Sequence, residues 1–109
     1  GQQVVHIGLI GGIGPAATVS YYLRLTARMR ELGAPLELTI VHADVNTLIR
    51  NNLADQRMEQ AEVYAQHIVT LAAAGAECVA ITSLGGHFCF DETVPRSVLP
   101  LVSGVAPLD

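Results

Sequence analysis

The chain has 109 residues, of which half are hydrophobic and 15% are charged, and its formal net charge at pH 7 is −4. This length is typical of one domain, so we expect a single α/β unit over residues 1–109. All six cationic side chains are arginines. The acidic balance excludes the basic surface that nucleic-acid binding requires. No apolar run approaches the roughly 20 residues of a membrane span, and we expect no signal peptide.

The first elements follow from apolar runs and from glycine and proline signals. Residues 4–10 form a nearly continuous apolar run, interrupted by His6, that is typical of a strand covered on both faces. Pro15 suits the first position of a helix, Gly33 ends that helix, and Pro35 prevents its continuation. Spacing predicts four residues on the buried stripe of this helix. They are Tyr22, Leu25, Met29 and Leu32.

The middle of the chain indicates a second strand and a second long helix. Residues 36–41 alternate between apolar and polar side chains, as in a strand with one wetter face near a sheet edge. Residues 42–53 are polar and irregular, and we expect a loop with at most one helical turn. A second amphipathic helix follows over about residues 55–74, and Gly75 caps it. Its predicted buried stripe is Met58, Ala61, Ala65, Ile68 and Ala72.

The last part of the chain completes an alternating pattern. Residues 77–82 indicate a buried strand, 83–91 a loop, 92–96 a helical turn and 98–102 a short fourth strand. Strands that alternate with helices predict an open, parallel, four-stranded sheet with helices on both faces and right-handed crossovers. Because such a core is small for this architecture, we expect half of a larger unit or a protomer that pairs.

The opening stretch, residues 7–18, is an apolar strand, a tight glycine turn and a helix that begins at a proline. This arrangement leaves backbone N–H groups without partners at the end of a strand. A helix amino terminus carries roughly half a positive charge and binds anions. The stretch therefore predicts a carboxylate or phosphate site, with Gly12, Gly14 and Thr18 as the candidate binding residues.

A second glycine-containing loop, residues 83–87, follows the third strand. In an open parallel sheet, ligands bind where neighbouring crossovers diverge to opposite faces. The glycines could serve only to make tight turns. Two loops that converge on one crevice, with hydroxyl groups at Thr18, Thr82 and Ser83, favour a binding site.

Two more side chains are candidates at the same edge of the sheet. His87 could orient a substrate or transfer a proton, or it could bind only a backbone carbonyl. Arg50 could clamp a second carboxylate through two hydrogen bonds, or it could be an ordinary solvated arginine. The remaining histidines lie on separate elements without a metal-ligand pattern, and they are His6, His42 and His67.

Neither cysteine has the signature of a reactive group. Cys78 and Cys89 are not spaced as a metal knuckle or a redox pair. No helix terminus or cation is evident that would lower the pKa of either thiol. We interpret both as free thiols and expect a reducing, cytoplasmic environment.

Residues 12–17 also fit the loose dinucleotide-binding pattern G-x-G-x-x-A. That pattern needs an acidic residue about 20 positions further on, at the end of the second strand. Glu37 begins that strand and Asp44 lies beyond it, so the pattern is incomplete. Nucleotide binding remains the alternative interpretation of the turn.

At this point the sequence resembles a known family. The stretch of residues 7–18, together with Tyr21 and Tyr22, resembles the opening motif of the aspartate/glutamate racemase superfamily. The turn at residues 73–77 and the segment 100–102 are similar to later parts of the same pattern. The resemblance implies a flavodoxin-like, three-layer lobe, one of two that enclose an active site in these racemases.

The resemblance also implies a chemistry. These enzymes are cofactor-independent isomerases that use neither pyridoxal phosphate nor a metal. Each lobe contributes one acid/base residue, usually cysteine, and the substrate carboxylate rests on backbone N–H groups and on an Asn-Thr pair. The implied substrate is a small amino acid or a dicarboxylate.

The third-strand loop departs from the family pattern Cys-Asn-Thr-x-His. Ser83 stands at the acid/base position, Leu84 and Gly85 replace the carboxylate-holding pair, and His87 keeps its place. A serine hydroxyl needs an adjacent base to act in proton transfer, and His87 is the candidate helper. We therefore expect a racemase-family protein whose isolated chain is a weak or inactive enzyme.

The resemblance to a pseudo-symmetric enzyme suggests a homodimer in which two copies of Ser83 face each other across a shared cleft. A missing second lobe is the other explanation for a small core. A non-catalytic module that binds small carboxylates or nucleotides is the alternative function. We expect neither a nucleic-acid partner nor a membrane partner.

Overall fold

A computed structural model describes residues 4–82 and 87–103 of the chain. The described strands are β1 (Val5–Gly11), β2 (Leu36–His42), β3 (Cys78–Ile81) and β4 (Leu101–Ser103). The described helices are α1 (Pro15–Glu31), α2 (Val45–Leu53), α3 (Arg57–Ala73) and the short α4 (Phe90–Thr93), which continues into a 3-10 turn at Val94–Arg96.

The four strands form one sheet in the order β2-β1-β3-β4, and every neighbouring pair is parallel. In this order the topological switch point of the sheet lies between β1 and β3. The predicted open, parallel, four-stranded α/β sheet is confirmed, and β2 lies at an edge as its alternating pattern indicated.

Alternate residues of the central strands pack on opposite faces of the sheet. Leu9 and Ala80 contact Tyr21 and Leu25 of α1, and all four are buried. Ile10 and its neighbours on the other face pack against α2 and α3 in the larger cluster. Helices therefore cover both faces, and the larger part of the core lies between the sheet and α3.

Gly33 and Gly75 end the two long helices in the same way. Their φ angles are +65° and +103°, in the left-handed region that glycine adopts without a steric penalty. The N–H of Gly33 binds the carbonyl of Arg30, and the N–H of Ala34 binds the carbonyl of Met29. This pairing is the Schellman motif, and it confirms the predicted helix ends.

The predicted loop over residues 42–53 was wrong, because its main part is the nine-residue helix α2. Asp44 caps this helix: its carboxylate accepts hydrogen bonds from the backbone N–H of Thr47 at 3.0 Å and from the Thr47 hydroxyl at 2.7 Å. Only Leu48 and Asn51 of α2 are buried. A helix that buries one apolar side chain produces no apolar periodicity, which is why the pattern failed.

The predicted buried stripes were only partly right. On α1 the buried aromatic residue is Tyr21, whereas Tyr22 is 44% exposed. On α3, Met58 is half exposed and the polar side chain of Gln60 is fully buried in its place. The amide nitrogen of Asn51 donates to the Gln60 side-chain oxygen at 2.9 Å, so this burial is partly compensated. Strand β4 is also shorter than the predicted 98–102.

Within residues 4–82 and 87–103, no helix is long and apolar enough to cross a membrane.

Candidate functional site

The turn between β1 and α1 forms a cradle of backbone groups, which we define as residues 11–18. Gly14 precedes the helix with φ +75° and ψ +71°, a left-handed conformation that favours glycine. Pro15 is the first helical residue, and no side chain caps the amino end of α1. Pro15 has no N–H, and the N–H of Ala17 donates to the Gly14 carbonyl at 2.9 Å. No side chain caps the other N–H groups of this first turn, and the helix dipole favours negative charge there.

Two glycines of the cradle lie in close contact with side chains of the neighbouring helices. A Cβ atom on Gly11 would collide with the side chain of Thr18, whose Cβ and Cγ2 would lie at 3.3 Å. A Cβ atom on Gly12 would collide with Leu48 of α2 and lie 3.5 Å from the carbonyl oxygen of Ala43. The cradle therefore rests on α1 on one side and on α2 on the other.

Hydrogen bonds join the cradle to the end of β3. The side-chain oxygens of Thr18 and Thr82 are 2.7 Å apart. The Thr82 hydroxyl also donates to the carbonyl of Ile10 at 3.2 Å, and the Thr82 backbone N–H donates to the same carbonyl at 3.0 Å. The structure thus brings Thr18 and Thr82 together at the carboxyl ends of β1 and β3, the crevice that the topology indicates for ligands.

The candidates on the loop after β3 fall mostly outside the described residues. Ser83, Leu84 and Gly85 lie there, so their predicted roles remain predictions. His87 is described and exposed. It borders an open cavity of about 420 Å³ that aromatic and charged side chains line. The other lining residues are Arg57, Phe88, Phe90, Asp91 and Glu92.

Arg50 lies on α2 rather than in a loop, and its side chain is exposed. Arg57, which sequence reasoning did not single out, shares the cavity with His87. Its guanidinium lies 5.3 Å from the centre of the Phe88 ring, and its Nε donates to Asp55 at 3.2 Å. Arg57 is the first residue of α3. Its place at the start of the second long helix is the signal in the sequence that could have marked it as a candidate.

The two acidic residues near β2 that a dinucleotide site could use are Glu37 and Asp44. Glu37 lies at the amino end of β2 and pairs with His6, at the edge of the sheet opposite the cradle. Asp44 is engaged as the cap of α2. Its hydrogen bonds, above all the one from the Thr47 side chain, lower the pKa of the Asp44 carboxyl. Nucleotide binding stays the alternative interpretation of the turn.

The cysteines and histidines do not form a second reactive centre in the described part of the chain. Burial raises the pKa of the Cys78 thiol and of the Cys89 thiol, which disfavours the reactive thiolate. Burial also lowers the pKa of His67 on α3. The His6 ring lies 2.7 Å from the Thr39 hydroxyl. Among residues 4–82 and 87–103, no three metal-binding side chains cluster together.

Two solved structures that share this fold are named as a racemase and a racemase homologue. The chain is similar to a candidate Asp/Glu racemase from Yersinia pestis, with a TM-score of 0.80, 22% identity, and coverage of 91% of this chain and 44% of that one. It is also similar to an aspartate racemase homologue from Pyrococcus horikoshii OT3, with a TM-score of 0.74, 27% identity, and coverage of 90% and 44%.

No protein-family profile matches the sequence, and no curated protein is significantly similar to it. The chain spans less than half the length of the solved structures that it matches. The resemblance that the opening motif indicates is confirmed, and the chain has the fold of the aspartate/glutamate racemase superfamily over about the length of one lobe.

Proposed function

We propose that the chain is a racemase-type lobe that binds the carboxylate of a small amino acid or dicarboxylate in the cradle. The observation that carries this proposal is the uncapped amino end of α1, which lies beside β3 through the contact between Thr18 and Thr82. Backbone N–H groups and a helix dipole at that end suit a carboxylate. The racemase structures with the same fold support the same class of ligand.

The chemistry belongs to an isomerase of the cofactor-independent type. A base removes the α-proton of the bound amino acid, and a second group returns a proton to the opposite face. In this chain Ser83 stands at the position of one of these groups, with His87 as its helper. A serine without an activating base is a weak acid/base group, so we propose that the isolated chain racemises slowly or not at all.

Binding and proton transfer can be tested separately. Heteronuclear NMR titration with L-aspartate, D-aspartate, L-glutamate and succinate measures binding, and incorporation of deuterium from D2O at the α-carbon measures proton transfer. We expect binding with little exchange in the wild-type chain, and faster exchange in Ser83→Cys, which introduces a more acidic and more nucleophilic group. Absence of binding by every one of these ligands would overturn the proposal.

The Ser83→Ala variant separates an enzyme from a binding module. In a slow racemase, Ser83→Ala removes the residual deuterium exchange and leaves aspartate binding unchanged. If the wild-type chain binds aspartate without exchange, and neither Ser83→Ala nor Ser83→Cys changes this, the chain is a non-catalytic carboxylate-binding module. Racemisation by the isolated chain as fast as by complete two-lobe racemases would contradict our proposal of a weak enzyme.

We also propose that the chain acts in the cytoplasm with a second lobe or with a second copy of itself. The racemase structures that it resembles are more than twice as long, which supports the need for a partner lobe. Analytical ultracentrifugation tests the homodimer, which predicts a dimer whose population rises when aspartate is added. A monomer at millimolar concentration, with and without aspartate, would exclude the homodimer.

A further inference from the structure

Thr82 is a buried polar residue at the centre of the site, with 3% of its surface exposed. Its hydroxyl lies between the carbonyl of Ile10 at 3.2 Å and the hydroxyl of Thr18 at 2.7 Å. Thr82 therefore connects the ends of β1 and β3 with the first turn of α1. A buried hydroxyl needs its hydrogen bonds to offset the loss of water.

The number of protons determines the direction of these hydrogen bonds. Each threonine hydroxyl has one proton to donate and lone pairs to accept. If Thr82 donates to Ile10, Thr18 donates to Thr82, and both protons are used. If Thr82 instead donates to Thr18, the proton of Thr18 has no acceptor within the described part of the chain. The first arrangement makes one more hydrogen bond within the described residues, and we infer that it is the favoured one.

Packing also restricts the Thr18 side chain. The space beside Gly11 in which a Cβ atom would lie is already occupied by Thr18, and the Cβ and Cγ2 atoms of Thr18 are 3.3 Å from that position. A rotation about the Cα–Cβ bond of Thr18 that moved its hydroxyl away from Thr82 would turn its methyl group toward the Gly11 backbone. The contact with Gly11 and the hydrogen bond to Thr82 therefore hold the Thr18 oxygen in one orientation.

We propose that Thr82 is a positioning residue that makes Thr18 a hydrogen-bond acceptor toward the ligand and thereby selects α-amino acids over the same acids without the amino group. This inference rests on the proposed function, in which backbone N–H groups of the cradle hold the carboxylate. With its proton directed to Thr82, Thr18 can accept from an adjacent ammonium group but cannot donate to a carboxylate. An ammonium group is a donor only, so it matches an acceptor oxygen.

The pair L-aspartate and succinate tests this selection, because succinate is aspartate without its amino group. We expect the wild-type chain to bind L-aspartate more tightly than succinate. Thr82→Val is close to threonine in shape but removes the acceptor for the Thr18 proton, so Thr18 can then donate to a carboxylate. The preference for L-aspartate should fall about fivefold to tenfold, the effect of one hydrogen bond, and Thr82→Ser should retain it.

The direction of the hydrogen bonds can be measured without a ligand. In NMR spectra, exchange of the Thr18 hydroxyl proton with water should be slow in the wild type and in Thr82→Ser, and fast in Thr82→Val. Amide spectra of the variants establish that each is folded. A merely structural role for Thr82 predicts a parallel loss of affinity for both ligands, with no change in their ratio.

Two results would overturn the inference. One is an unchanged ratio of aspartate to succinate affinity in a folded Thr82→Val variant. The other is a Thr18 hydroxyl proton that exchanges equally fast in the wild type and in Thr82→Val. If the wild-type chain binds none of L-aspartate, D-aspartate, L-glutamate and succinate, the proposed function fails, and the exchange measurement still decides whether Thr82 fixes the hydrogen-bond direction of Thr18.

Discussion

Gly14 and Gly33 form a matched pair for testing the cradle, because both have a positive φ angle and open space around them. Their φ angles are +75° and +65°, and a Cβ atom on either would meet no atom within 4 Å. Alanine at either position therefore introduces backbone strain without a collision. The left-handed conformation costs a non-glycine residue about 1–2 kcal/mol, so Gly14→Ala and Gly33→Ala should lower the free energy of unfolding by similar amounts.

The two variants should differ in ligand binding. Gly14 precedes α1 and Gly33 follows it, and a helix of 17 residues separates them by about 25 Å. Strain at Gly14 reorients the N–H groups of the cradle, and loss of one hydrogen bond to a carboxylate weakens binding about tenfold or more. Strain at Gly33 leaves the cradle intact, so the affinity for L-aspartate should be unchanged.

Urea unfolding followed by circular dichroism gives the stabilities, and calorimetric titration with L-aspartate gives the affinities. Gly14→Asn serves as a further control, because asparagine tolerates the left-handed region better than alanine. It should recover part of the lost stability. The reasoning is refuted if Gly14→Ala is as stable as the wild type, or if Gly33→Ala weakens aspartate binding as much as Gly14→Ala does.

Three other substitutions have defined outcomes. Leu48→Ala removes a fully buried side chain beneath the cradle and should lower the free energy of unfolding by about 2–5 kcal/mol in urea titrations. Asp44→Asn should be less stable than the wild type above about pH 4, with the difference disappearing at lower pH, because the folded protein lowers the pKa of Asp44 and its contribution is lost as the carboxylate is protonated. Burial lowers the pKa of His67, so the unfolded chain binds the proton more tightly and the wild type should lose stability as the pH falls below about 6.5. His67→Gln should remove this loss of stability. Thermal unfolding at a series of pH values measures the pH dependence of stability for both of these variants and for the wild type.

The long elements could be predicted because they carry local chemical signals. Pro15 and Gly33 begin and end α1 for reasons of backbone geometry alone, and the structure has them in those roles. The nearly continuous apolar run of β1 likewise predicted a strand covered on both faces, and β1 lies between β2 and β3. Such signals depend on the residue itself and on its immediate neighbours, so they can be recognised in one sequence.

The missed features either lack an apolar pattern or join residues that are far apart in the chain. Helix α2 is held by the cap at Asp44 and by a hydrogen bond from Asn51 to Gln60, and neither produces an apolar pattern. The contact between Thr18 and Thr82 joins residues 64 positions apart. Sequence could indicate that both loops reach one crevice, but only the structure gives the distance between the two hydroxyls.

The close contact between Gly12 and Leu48 has a consequence for how this fold can evolve. A larger residue at position 12 collides with Leu48 unless position 48 becomes smaller, and a smaller residue at position 48 alone leaves a void beneath the turn. Neither change is tolerated well by itself. We therefore expect substitutions at positions 12 and 48 to occur together in related sequences. The shape of the cradle would then be conserved by paired changes in the turn and in α2.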